Sequence, residues 1–164
     1  MSEINDIDTF KKTLSSLPLK QQRQVGARFI ANVMDLTDGQ CTKQAQMLAA
    51  ESDVTPEALE AAYHAVHAVY VSTHPRSHFS EIDYNMQAAH FVAEACMTAV
   101  GPVYSEQGKY FIAENVASYC RMARLCSAIH HGSGSPDLSL AEKELDKEMN
   151  AQYAILNQYL EEQS

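Results

Sequence analysis

The chain has 164 residues, 46% of them hydrophobic and 20% charged. That is enough for one domain with its own core, and it excludes a wholly disordered polymer. Twelve Lys and Arg against 21 Asp and Glu give a net charge of −9, which excludes non-specific binding to nucleic acid or to an anionic membrane surface and fits a basic protein partner.

Seven helices are predicted in chain order. The first, Asp6 to Ser15, is short, with Ile7, Phe10 and Leu14 on one side. The second runs from Leu19, just after Pro18, to about Thr37, where Asp38-Gly39 signals a turn. Its apolar positions Val25, Phe29, Ile30, Val33 and Leu36 follow helical spacing. A short third helix covers Thr42 to Ala50.

Thr55 caps the fourth helix, with Pro56 in its first turn, and Pro75 ends it after Thr73. Ser80 is read as the cap of the fifth helix, Glu81 to Val100, with Asp83 at its third position and Gly101-Pro102 as the stop. The sixth is predicted from Ser105 to His130, although Gly108 weakens its start. The seventh opens at Ser135 or Ser139 and runs to about Glu161, burying Leu145, Met149, Gln152 or Tyr153, Leu156 and Leu160. No segment alternates strictly over a strand length. The expected fold is therefore a single all-α domain, residues 1–164: a bundle of about seven helices around a central antiparallel pair.

No run reaches the ~18 apolar residues of a membrane span, and MSEINDIDTFKK lacks the order of an export signal. A soluble, cytoplasmic protein is expected, with Cys41, Cys96, Cys120 and Cys126 as reduced thiols.

The fourth and fifth helices are apolar almost all round, which predicts a central position for both. Their few polar residues fall in line: Glu57, Glu60, His64 and His67 on one, Asp83, Gln87, His90 and Glu94 on the other. Counting nine residues from the connecting loop sets His64 level with His90. Counting thirteen sets Glu60 level with Glu94. Glu60, His64, His90 and Glu94 are thus the candidate ligands of a divalent metal such as zinc, manganese or iron. The competing reading is a solvent-facing edge, or ion pairs to Arg121 or Arg124 on the sixth helix. A second candidate site is the loop before the fifth helix, where Arg76, Ser77, His78 and Ser80 could hold a phosphate or carboxylate. No P-loop, GxSxG or HExxH motif is present, so no catalytic residue is assigned.

The segments TKQAQMLAA, EAAYHAVHAVYVSTH and NMQAAHFVAEACMTA lie between about Gln24 and Gly101. They resemble small all-helical bacterial immunity proteins of toxin systems, over under half the chain. The resemblance implies a non-enzymatic protein that binds a toxin, and no functional residue is carried over from it. The expected function is action by binding a protein partner, with a metal-binding protein or metal-dependent enzyme as the alternative. The seventh helix either packs within its own chain or joins two copies in a homo-oligomer.

Overall fold

A computed structural model describes residues 3–74, 83–104, 106, 108–130 and 138–164, with only the backbone of His130. Among the described residues seven α-helices run in chain order: α1 (Ile7–Ser16), α2 (Leu19–Asn32), α3 (Gln40–Ala50), α4 (Pro56–Thr73), α5 (Tyr84–Val100), α6 (Ile112–His130) and α7 (Leu138–Glu162). The fold is an all-α bundle. Among the described residues the sole bridge pairs Glu106 with Lys109, and no helix is long and apolar enough to cross a membrane.

Local chemistry sets most of the boundaries. Asp6 and Thr55 accept from the amides of Thr9 and Ala58 and so cap α1 and α4. The expected second helix breaks after Asn32, and Met34–Leu36 tightens into a 3-10 turn. Asp83 is itself the cap of α5, its carboxylate accepting from the Met86 amide, where the sequence suggested the third position. The expected cap Ser80 lies outside the described residues. α6 starts at Ile112 and not near Ser105, because a tight turn intervenes between Glu106 and Lys109. Gly108 sits in that turn at φ 76, a conformation that favours glycine.

The central antiparallel pair is α5 with α6. Ala93, Ala95 and Ala99 on one and Ala113, Ala117 and Ala123 on the other are fully buried, and small side chains let helix axes approach closely. Phe91 meets Tyr119, while Met86 and Ser127 line one cleft and Thr98 and Asn115 another, so the two helices run in opposite directions. α2 packs on α6, with Gly26 against Val116, and buries Val25, Phe29 and Ile30 in the core. Phe10 of α1 completes an aromatic cluster, 5.9 Å from Phe29 and 5.2 Å from Tyr153 of α7, centroid to centroid. Each such pair adds about 0.5–1.5 kcal/mol to what burial supplies. Buried Gln22 donates to Leu17 O and Tyr110 O and accepts from the Ala113 amide, binding the start of α2 to the start of α6.

α7 packs on α6 and α2. Its buried face includes Glu148 and Gln152 beside Tyr153, Leu156 and Tyr159. Glu148 Oε2 accepts from Asn32 Nδ2 at 2.9 Å and lies 3.6 Å from Arg124 Nε. Gln152 donates to Glu148 Oε1 and Ala117 O, and accepts from Arg121 at 2.7 Å. Arg124 also binds both oxygens of Asp35, at 2.9 and 3.0 Å, and Asn32 O at 2.7 Å. The two arginines of α6 are therefore committed to α7 and the end of α2, and not to Glu60 or Glu94 as expected. Burial raises the Glu148 carboxyl above its ordinary value, although Asn32, Arg124 and Gln152 oppose it.

α4 departs most from expectation. Only Leu59 and Val66 are buried along its length, and it lies at the edge of the bundle against α3 and α5. Its alanines, read as a sign of burial, face water at positions 61, 65 and 68.

Candidate functional site

The spacing of Tyr63, His67, Tyr70 and His74 places four rings along one side of α4. Tyr63 stacks on His67 at 6.2 Å, and His67 on Tyr70 at 6.2 Å. The row then crosses to α5, where His90 stacks on Tyr70 at 4.3 Å and meets His74 edge-on at 5.3 Å. Phe91, beside His90, stacks on Tyr119 of α6 at 6.5 Å. One ladder of rings thus links three helices.

His90 is the fixed point of that ladder. Its Nδ1 lies 3.2 Å from both Tyr70 O and Thr73 Oγ1. A carbonyl only accepts, so Nδ1 carries the proton and donates. Burial lowers the His90 pKa below its ordinary value of 6.5, outweighing the opposing pull of Glu94. The ring is therefore neutral at neutral pH, and it holds the end of α4 against α5.

The same contacts correct the expected register. His90 faces Tyr70 and His74, about two turns beyond His64 along α4. Gly101 faces Tyr63. His64 instead lies exposed beside Glu60 of its own helix, at 3.8 Å. Glu94 lies near Tyr119; burial, with the Glu94 charge in second place, raises the Tyr119 pKa. Glu60, His64, His90 and Glu94 are thus divided between separate places. No group of three or more His, Cys, Asp or Glu among the described residues is placed to hold a metal ion. The other candidate set, Arg76, Ser77, His78 and Ser80, lies outside the described residues.

Two clefts open on either side of Tyr63. One, of about 400 Å³, is bounded by Pro56, Leu59, Glu60 and His64 of one helix and by Val100, Pro102 and Val103. Arg23 stands at its wall, its Nε donating to Ala99 O at 3.2 Å. The other, of about 480 Å³, is bounded by Tyr63, His67 and Tyr70 of α4, Glu94 and Met97 of α5, and Tyr104 and Glu106 of the connection to α6. Both volumes fall in the range of ligand-sized pockets. Tyr104 is 84% exposed.

Charge is distributed unevenly around these clefts. Between Lys43 and Lys109 the sequence holds one basic side chain of the Lys or Arg type, Arg76, against eight Asp and Glu. The α4–α5 layer is thus acidic and aromatic; among the described residues the nearest cations are Arg23 of α2, at the wall of the first cleft, and Lys109, paired by backbone with Glu106 in the connection to α6. The histidines here, with Glu60 and Glu94, were legible in the sequence, whereas Tyr63, Tyr70, Tyr104 and Glu106 were not. The heptad-like spacing of rings from Tyr63 to His74 was the signal that could have found the first two.

This architecture defines an all-helical bundle with an acidic, ring-lined face built on an edge helix. No known family, curated protein or solved structure matches the chain.

Proposed function

We propose that the protein acts by binding, and that it docks a basic protein partner on the outer face of α4. The exposure of that helix carries the reading. Eighteen residues rich in alanine, valine and aromatic rings contribute two buried side chains, and Val71 is 57% exposed. The exposed face sets Ala61, Ala65, Ala68 and Val71 among Glu57, Glu60, His64 and His67, a mixture of apolar and polar groups of the kind that transient interfaces carry. Its charged neighbours Glu57 and Glu60 are acidic, so a second copy would be repelled by this face and a cationic surface attracted to it. The resemblance of its alanine-rich segments to toxin-immunity proteins agrees with this reading, since it implies a non-enzymatic protein that binds another protein.

The test uses Ala65→Lys with Ala68→Lys, two exposed positions where lysine keeps helix propensity. Proteins retained by the wild type and by the double variant from one lysate are compared by mass spectrometry. The expected result is a basic protein held by the wild type and lost from the variant, with helix content unchanged. Equal retention by both, or retention of acidic proteins alone, refutes the proposal.

A further inference from the structure

The two clefts share Tyr63, Gly101 and Pro102, so they form one groove with two compartments. Their linings differ in chemistry. Leu59, Val100 and Val103 make the first compartment apolar. The second is bounded by Tyr63, His67 and Tyr70 along one wall and by Glu94 and Glu106 on others. A carboxylate pairs with a cation and accepts its hydrogen bonds, the more strongly in a cleft walled by rings. His90, neutral and hydrogen-bonded behind Tyr70, holds that ring in place without adding a competing charge.

We infer that this groove is the anchor site for a partner's arginine or lysine side chain, with an adjoining apolar residue of the partner seated in the first compartment. The inference rests on the binding role proposed above and names the chemistry that the partner must offer. A guanidinium fits best, because its planar fork can donate to two carboxylates at once while the tyrosine wall bounds it. The source is a protein segment and not a free polyamine, since a free polyamine has nothing to fill the apolar compartment.

The experiment titrates the full chain with the capped dipeptide acetyl-Leu-Arg-amide, following Tyr and backbone resonances by NMR. Three comparison probes are acetyl-Leu-citrulline-amide, which keeps the shape and loses the charge, acetyl-Ala-Arg-amide, which loses the apolar side chain, and spermidine. The expected result is saturable binding of Leu-Arg with shifts centred on Tyr63, Tyr70 and Glu94, and weaker binding of all three comparison probes. Glu94→Gln, nearly isosteric, should weaken Leu-Arg binding about 5-fold, as should Tyr63→Leu. Citrulline binding as tightly as arginine, spermidine binding as tightly as Leu-Arg, or shifts centred elsewhere would each overturn the inference. If Ala65→Lys/Ala68→Lys abolishes partner capture while Glu94→Gln leaves both capture and dipeptide binding unchanged, the groove assignment fails and the α4 face stands.

Discussion

Arg124→Met removes the charge beside a nearly dry carboxylate, Glu148, while keeping the aliphatic stem. In the native chain Arg124 joins Asp35, Asn32 and Glu148. Without it, Glu148, 3% exposed, keeps only the hydrogen bonds from Asn32 and Gln152. A buried carboxylate that loses its cation costs about 3–5 kcal/mol, a large share of the 5–15 kcal/mol typical of a domain. The Glu148 carboxyl, already raised above its ordinary 4.5 by burial, would rise further and take up a proton. A raised folded pKa means that the native state holds this proton when the unfolded chain has released it. Stability is then fully present below 4.5 and is lost as pH rises through the folded value, at up to about 1.4 kcal/mol per pH unit. Urea unfolding followed by circular dichroism at pH 5.5 and 7.5 measures this. The variant should lose more at pH 7.5 than at 5.5, and Arg124→Met/Glu148→Met should recover part of the loss. A deficit under about 1 kcal/mol, equal at both pH values, would refute the reasoning.

Gly101→Ala should destabilise by about 1–3 kcal/mol, because an added Cβ would sit 2.5 Å from Met97 O and 3.1 Å from Tyr63 Cδ2. The melting temperature and the Tyr63 ring resonances report it, and an unchanged melting temperature would contradict the packing described. Thiol titration should count four in denaturant and one rapid thiol, Cys41, in the native state. Burial pushes Cys96 up to about 12 and raises Cys120 and Cys126 as well, so two or more rapid native thiols would mean a looser core.

The bundle was legible because helix signals are local. Caps such as Thr55 and stops such as Gly101 act within a few residues, so the range Pro56–Thr73 could be read directly. What failed was the inference from composition to position. Alanine is small enough to be tolerated on either side of a helix, and an alanine-rich sequence does not show which face meets a neighbour. The His64–His90 level failed for a related reason. Counting from the loop assumes that both helices begin at the turn, whereas α5 begins at Tyr84 and packing of His90 on Tyr70 sets the register. The need of Arg121 and Arg124 for polar partners was legible. Their partners were not, because Glu148 looks like any surface glutamate until α6 and α7 are packed together.

The thin attachment of α4 has a consequence for how the molecule can change. Because Leu59 and Val66 are its only buried side chains, most of its positions can be substituted with little effect on the core formed by α5 and α6. The face open to a partner can be rewritten residue by residue while the rest of the bundle keeps its stability. Substitutions there would alter which surface is recognised long before they alter whether the chain folds, so specificity and stability are carried by different helices.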